Sequence, residues 1–193
     1  MIRAVIFDCF GVIITDALQA ICDELNSRDP AACEQVKDLI KANNRGLILP
    51  EDSNEQIAGI LGISVQEFRR RIDSGEAKDE RLLDYIVGLR GTHKTAMLSN
   101  IAGNSLEHRF TADELERCFD TVVISGDIGF AKPEPQAYEI TADRLGVRYD
   151  ECVFTDDRDS FCEAARAVGM QAIHYTSFDR FKSELEQILA AES

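Results

Sequence analysis

The chain has 193 residues, of which 45% are hydrophobic and 29% are charged, which is typical of a globular protein with a sizeable core. Its formal net charge of -14 offers no basic stripe that could pair with nucleic-acid phosphates, so we expect no nucleic-acid partner. No apolar segment reaches the length of a membrane span, and we expect no membrane partner. The six cysteines form no CxxC pair, and residues 1–3 run straight into the first predicted strand without room for a signal peptide. Both features favour a reduced, cytoplasmic setting.

The first predicted element is an apolar strand over residues 4–7, of the kind that is buried on both faces of a sheet. The strand ends abruptly at Asp8, and a carboxylate is costly to bury without a partner. We therefore expect Asp8 at the carboxyl end of the strand, facing a cleft. Gly11 follows, where the backbone can turn tightly or approach a ligand closely.

Residues 16–91 are predicted to be helical throughout. Asp29 and Pro30 form a helix start, with Asp as the cap and Pro in the first turn, and Ser64 with Glu67 forms a capping-box pattern. A further helix is predicted over residues 82–89. We predict that residues 16–91 form a helical cap inserted into a core made of residues 1–15 and 92–193.

Strands and helices alternate after this helical stretch. Strands are predicted at 95–98, 121–124, 151–155 and 171–175, and helices around Leu106 and at 112–118, 135–145, 161–168 and 178–189. Repeated strand–helix units predict an α/β fold with a doubly wound parallel sheet and helices on both faces. In such a sheet the active site lies beyond the carboxyl ends of the strands.

Polar side chains follow four of the predicted strands or lie in the loops after them. The carboxyl ends of parallel strands meet at one edge of the sheet, which would bring these groups together: Asp8, Ser99 with Asn100, Lys132, and Asp156 with Asp157. A carboxylate nucleophile, a hydroxyl, a cation and an acid pair in one cleft suit phosphoryl transfer through an aspartyl-phosphate.

Each of these residues can be given a role in that chemistry. Asp8 would attack phosphorus, while Asp8 and Asp157 would hold a hard cation, for which Mg2+ is the expected cofactor. Ser99 and Lys132 would hold the transferring oxygens and neutralise developing charge. The partner would be a small phosphorylated molecule.

Four further residues near the site each have two possible roles on the sequence. Asp156 either supports the cation site from outside or contacts the substrate, and Asn100 either orients backbone or contacts the substrate. Arg45 in the cap and Arg158 beside the acid pair could each touch an anionic substrate or form a surface ion pair.

The four motifs resemble those of the haloacid dehalogenase-like (HAD) hydrolase superfamily, whose members are mostly Mg2+-dependent phosphatases. In chain order they read Phe7-Asp8-Cys9-Phe10-Gly11-Val12, Met97-Leu98-Ser99-Asn100, Ala131-Lys132-Pro133, and Phe154-Thr155-Asp156-Asp157 followed by Gly169-Met170. The resemblance implies a Rossmann-like core, a cap inserted after the first motif, and a cap similar to those of sugar phosphatases and epoxide-hydrolase N-domains. It also implies that the backbone carbonyl of Phe10 is a metal ligand.

The chain departs from this family pattern at Phe10. The resemblance implies an Asp at this position, which protonates the leaving oxygen and then activates water, and Phe can do neither. General acid–base help is worth about 10²–10⁴-fold in rate. We therefore expect a slow phosphatase, one restricted to good leaving groups, or an altered reaction.

Two other functions remain open on the sequence. Haloacid dehalogenases of the superfamily carry an aromatic residue at the position of Phe10 and need no metal, but they lack the acid pair that Asp156 and Asp157 form here. The other alternative is a non-enzymatic relative that keeps the fold and binds a phosphorylated ligand or a protein partner.

Overall fold

The computed structural model of the protein describes residues 1–103 and 105–191. Among these residues the strands form one parallel sheet of five, in the order β3-β2-β1-β4-β5. The strands are β1 (Ala4–Phe7), β2 (Lys94–Ser99), β3 (Thr121–Ile124), β4 (Cys152–Asp156) and β5 (Gln171–His174). The predicted doubly wound parallel sheet is confirmed, because helices cover both faces of these strands.

The helices follow the strands in chain order. They are α1 (Ala17–Arg28), α2 (Pro30–Asn44), α3 (Pro50–Leu61), α4 (Val65–Gly75), α5 (Glu80–Leu89), α6 (Ala112–Cys118), α7 (Ser125–Ile128), α8 (Pro135–Leu145), α9 (Asp159–Ala167) and α10 (Phe178–Ala191). Asp29 and Ser64 cap their helices as predicted, because the Asp29 side chain accepts from the Ala32 N–H and the Ser64 hydroxyl accepts from the Glu67 N–H. The predicted capping box is only half formed, since the Glu67 carboxylate pairs with Arg70 and Arg71. The helix predicted around Leu106 is wrong, because residues 105–109 form turns closed by bonds from Arg109 N and Phe110 N to the Leu106 carbonyl.

The register of the sheet aligns the ends of its central strands. Phe7 of β1 lies opposite Met97 of β2 and opposite Thr155 of β4. The Asp8 N–H then donates to the Thr155 carbonyl at 2.9 Å. Residues just beyond these positions therefore emerge side by side at one edge of the sheet, as the sequence predicted.

Each face of the sheet has its own hydrophobic cluster. On one face Phe7 packs edge-to-face against Phe181 of α10, with ring centroids 5.6 Å apart. On the other face Phe154 packs in the same manner against Tyr138 of α8, at 5.3 Å. Both clusters remove apolar surface from water on either side of β1 and β4, whose residues are all buried. This packing fixes the position of the sheet edge that carries the site.

A third hydrophobic cluster lies within α1–α4 and includes Cys22, Val36, Ile57 and Phe68. The predicted cap, residues 16–91, stays a prediction, but its last predicted helix, α5, does not pack with this third cluster. The buried leucines of α5, such as Leu82, belong to the cluster of the sheet and not to that of α1–α4. Helical periodicity reveals which face of α5 is apolar, but it does not reveal which layer covers that face.

The chain leaves the core and returns to it at one place. Thr15 N–H donates to the Ala77 carbonyl at 3.0 Å, and Ala77 N–H donates to the Thr15 hydroxyl at 2.8 Å. Asp79 N–H donates to the Ile13 carbonyl, which extends this pairing towards the sheet. Residues 16–76 lie between these two crossings and are called the cap below. Within the described part of the chain, no helix combines the length and the apolar character that crossing a bilayer demands.

Candidate active site

Asp8 lies directly beyond β1 and is almost fully buried, with 7% of its surface exposed. Its Oδ1 accepts the Cys9 N–H at 2.6 Å and lies 2.7 Å from Lys132 Nζ. Oδ2 is the oxygen that neither of these groups holds. Burial, and after it repulsion from Asp156, raises the pKa of Asp8 well above its usual value despite the opposing effect of Lys132.

Lys132 forms ion pairs with two carboxylates of the site. Its Nζ lies 2.7 Å from Asp8 Oδ1 and 2.7 Å from Asp156 Oδ2, and its side chain is 1% exposed. Burial by itself would lower the pKa of Lys132, but Asp156 and Asp8 raise it and the net direction is upward. One buried ammonium is thus shared by two carboxylates, which leaves the site with an excess of negative charge.

Asn100 holds the backbone of Lys132. Its side-chain Nδ2 donates to the Lys132 carbonyl and its Oδ1 accepts the Lys132 N–H, both at 2.8 Å. This reciprocal pair ties the loop that carries Lys132 to the end of β2. Of the two roles that the sequence left open for Asn100, the geometry shows backbone orientation.

The two acids at the end of β4, Asp156 within the strand and Asp157 just after it, have different surroundings. Both oxygens of Asp156 are engaged, since Oδ2 binds Lys132 Nζ and Oδ1 accepts the Arg158 N–H at 2.9 Å. Asp157 Oδ1 is buried and has no hydrogen-bond partner among the described residues. Burial, followed by repulsion from Asp156, raises the pKa of Asp157 to about 6. Asp157 is therefore the acid of this pair that has an oxygen available to a ligand.

Gly11 allows Asp157 to approach the backbone of the first loop. A Cβ added at Gly11 would lie 2.4 Å from both Cγ and Oδ2 of Asp157, and the glycine has φ +84°. No side chain fits at that distance, and the positive φ itself favours glycine. Gly11 thereby brings the carboxylate of Asp157 next to the loop that follows Asp8.

A cation would fit among these acids. Asp8, Asp156 and Asp157 each offer a carboxylate oxygen, and these oxygens lie within 4.8 Å of one another. Oxygen-only ligands suit Mg2+, and the unpartnered Asp157 Oδ1 is an oxygen that such an ion would satisfy. The residues present thus fit the predicted cofactor, while the Phe10 carbonyl as a ligand stays a prediction.

Ser99 is the last residue of β2 and is fully buried. Its hydroxyl also has no hydrogen-bond partner among the described residues. Ser99, Asp8 and Lys132 line one cavity of about 1520 Å³ between the cap and the core. The structure therefore brings together the predicted nucleophile, hydroxyl and cation, with the acid pair beside them.

Phe10 has neighbours that sequence reasoning missed. Its ring packs against the hydrophobic cluster of the sheet and carries the guanidinium of Arg109, whose Cζ lies 5.1 Å from the ring centroid. Arg109 is paired in turn with Glu76, at the end of the cap. No motif in the sequence marks Arg109 or Glu76, because they are far apart along the chain and meet only through folding.

Arg45 and Arg158 each connect the cap to the core. Arg45 lies 3.2 Å from Glu134, and Arg158 lies 3.6 Å from Asp16 and donates to the Gln19 side chain at 3.1 Å. Both arginines are about half exposed and line the cavity. Each arginine thus forms the ion pair that the sequence analysis allowed for it.

Comparisons with known proteins agree on one family. A family model described as haloacid dehalogenase-like hydrolase matches residues 2–169. Phosphatase MT3486 of Mycobacterium tuberculosis (strain CDC 1551 / Oshkosh) is 47% identical over 53 residues, which are 28% of this chain and 24% of that protein. Sesquiterpene phosphatase astK of Aspergillus oryzae is 27% identical over 192 residues, 97% of this chain and 96% of that protein. The chain thus spans only about a quarter of the first of these relatives and nearly all of the second.

Solved structures share the fold. The HAD family enzyme bt-2542 from Bacteroides thetaiotaomicron, in complex with magnesium and inorganic phosphate, superimposes with a TM-score of 0.72. The sequences are 20% identical, and the match covers 92% of this chain and 96% of that chain. At this identity the likeness concerns the arrangement of the strands and helices.

Proposed function

Since the chain belongs to the haloacid dehalogenase-like hydrolase family, we propose that it is a Mg2+-dependent phosphatase of a small phosphorylated molecule, acting through an aspartyl-phosphate on Asp8. One observation carries the proposal: the Ser99 hydroxyl and Asp157 Oδ1 are buried beside Asp8 without a hydrogen-bond partner among the described residues. Leaving a buried polar atom unsatisfied costs about 1–3 kcal/mol. A phosphoryl oxygen on Ser99 and a cation on Asp157 would satisfy both atoms.

The charge of the cavity supports an anionic substrate. The whole chain carries 35 acidic against 21 basic residues. Among the residues that line the cavity the balance is reversed, with eight Lys or Arg and six Asp or Glu. The cations of the lining therefore lessen the repulsion that the negative charge of the whole chain would exert on a phosphate monoester.

The residues of the site have distinct tasks in this reaction. Asp8 Oδ2 attacks phosphorus, so that a bond forms between them while the bond from phosphorus to the leaving oxygen breaks. Lys132 and the Ser99 hydroxyl hold the phosphoryl oxygens during transfer, and water then cleaves the aspartyl-phosphate to regenerate Asp8. When bound by Asp8 and Asp157, Mg2+ would neutralise negative charge on the phosphoryl group.

Phe10 determines which substrates react well. An apolar ring cannot give a proton to the leaving oxygen, so the leaving alkoxide takes its proton from water. The rate should therefore depend steeply on the pKa of the leaving alcohol, and aryl phosphates should react faster than alkyl phosphates.

The test is a phosphate-release assay with a series of aryl and alkyl phosphates, with and without Mg2+. We expect release that requires Mg2+, falls as the pKa of the leaving alcohol rises, and is lost in Asp8→Asn. A matched control is Asp150→Asn, because Asp150 is a surface residue paired with Arg148 outside the cavity, and its loss should leave the rate unchanged. Full activity in Asp8→Asn, or no release from any phosphate ester, would contradict the proposal.

The same protein samples also test the two alternative functions. Halide release from a 2-haloacid without Mg2+ would identify a dehalogenase, which the aromatic residue at position 10 permits. Binding of phosphate esters without turnover would identify a non-enzymatic ligand-binding relative. A cytoplasmic setting stays a prediction from the cysteine pattern.

A further inference from the structure

Arg109 is held firmly in the wall of the cavity. Its Nε and Nη2 donate to the two oxygens of Glu76, both at 2.7 Å, and its Nη1 donates to the Ser105 carbonyl at 2.7 Å. A guanidinium has five N–H donors. One N–H on each terminal nitrogen therefore has no acceptor within residues 1–103 and 105–191, although the Arg109 side chain is only 21% exposed.

Arg109 borders the cavity into which the leaving part of a substrate would extend. Phe10 is two residues beyond Asp8, and the guanidinium stacks on its ring. Phe10, Glu76 and Arg109 all line the cavity that contains Asp8. Because Asp8, Ser99 and Lys132 would hold the phosphoryl group, the remainder of the ester extends from them into this cavity.

The charge around Arg109 favours a neutral acceptor. Glu76 already neutralises the guanidinium through two charge-assisted hydrogen bonds, and its side chain is 13% exposed. A carboxylate placed on the remaining donors would add an uncompensated negative charge to a partly buried pair. A hydroxyl or carbonyl oxygen can accept from the same donors without that cost.

We propose that Arg109 is a specificity-determining residue that binds neutral hydroxyl or carbonyl oxygens on the alcohol part of the phosphate ester. This inference rests on the proposed function and assigns the substrate class of the same site. Contacts remote from the reacting bond orient the ester for attack by Asp8. Arg109 thus improves the reaction by positioning the substrate, although Phe10 transfers no proton.

The test measures binding of three small esters by calorimetry in the presence of Mg2+: propyl phosphate, 2,3-dihydroxypropyl phosphate and carboxymethyl phosphate. The Asp8→Asn protein is used so that none is hydrolysed. We expect the dihydroxypropyl ester to bind about tenfold more tightly than the propyl ester, as for a hydrogen bond to a charged donor. Adding Arg109→Gln should remove this preference.

Two further variants separate recognition from a structural ion pair between cap and core. In Glu76→Gln, Arg109 loses its counter-charge, and the preference should shift towards the carboxymethyl ester. A purely structural pair would not produce such a reversal. Arg81→Gln is the matched control, because Arg81 also stacks on an aromatic ring, Phe178, and pairs with an acid, Asp179, but lies outside the cavity. Its preference should equal that of the parent protein.

Three results would overturn the inference: equal affinity for the propyl and dihydroxypropyl esters, a preference for the carboxymethyl ester with Glu76 intact, or no binding of any ester. The proposed function is judged separately, by phosphate release from aryl phosphates in the wild-type protein. An Arg109-dependent preference without any such release would contradict the phosphatase proposal and leave the binding role of Arg109 intact.

Discussion

Replacing Lys132 by Met should show how much the stability of the metal-free protein depends on this one buried ammonium. Lys132 Nζ lies 2.7 Å from both Asp8 and Asp156, and all three residues are buried. Methionine fills much of the same volume but leaves the two carboxylates without their cation. Breaking a buried ion pair by removing one partner costs about 3–5 kcal/mol.

This cost can be measured as a change in thermal stability. For a chain of 193 residues, a loss of 1 kcal/mol lowers Tm by roughly 2–4 °C, so Lys132→Met should lower Tm by about 10 °C at neutral pH. Differential scanning calorimetry without Mg2+ is the appropriate assay. Lys182→Met is the control, because Lys182 is 44% exposed and 3.8 Å from Glu186, and such a surface change stays within about 0.5 kcal/mol.

The loss should depend on pH in a defined direction. Lys132 lowers the pKa of Asp8, so its removal raises that pKa further above the value of about 3.9 in the unfolded chain. A raised carboxyl pKa destabilises the fold at high pH, and the penalty fades as the pH falls towards the unfolded value. The Tm difference between wild type and Lys132→Met should therefore shrink from pH 7.5 to pH 5.

Added Mg2+ should reduce the Tm difference between the variant and the wild type, as protonation of Asp8 does, because it supplies the missing positive charge to Asp8. We expect Mg2+ to raise the Tm of Lys132→Met by more than it raises the Tm of the wild type. An unchanged Tm in the variant, or a loss that is constant with pH and Mg2+, would refute the reasoning that Lys132 compensates buried charge.

Two further predictions concern the cation site. Asp157, with a pKa of about 6, must lose its proton to bind a cation. Below pH 6 the Mg2+-induced increase in Tm should therefore weaken, and the Mg2+ affinity should fall by up to about tenfold per pH unit. Equal affinity at pH 5 and pH 8 would exclude Asp157 as a ligand. Gly11→Ala should weaken Mg2+ binding at least about tenfold, because the new Cβ displaces the Asp157 carboxylate, and metal titration of the folded variant would measure this loss. Gly62→Ala has the same kind of backbone strain, with φ +69° and open space around it, and should change stability without changing Mg2+ affinity.

The order of the elements and the main residues of the site could be predicted because they depend on local chemistry. An apolar run such as that of β1 can be satisfied only in a buried strand, and a carboxylate at its end must face a cleft. Parallel strand topology then determines that Asp8, Ser99 and Asp156 emerge at one edge, whatever the loops between them do. These inferences require only hydrophobic periodicity, turn residues and the handedness of strand–helix units.

Only the tertiary structure decided which groups are already paired. Asp156 and Asp157 are identical neighbours in the sequence. Both oxygens of Asp156 bind Lys132 and Arg158, whereas Asp157 Oδ1 has no hydrogen-bond partner among the described residues. The packing of α5 against the sheet has the same origin, because an apolar helix face can be buried by either layer. The Arg109–Glu76 pair on Phe10 has no sequence signal at all, since its partners come from the cap and the core. Local sequence determines what each residue can bind, whereas the packing of distant segments determines which of those bonds is made.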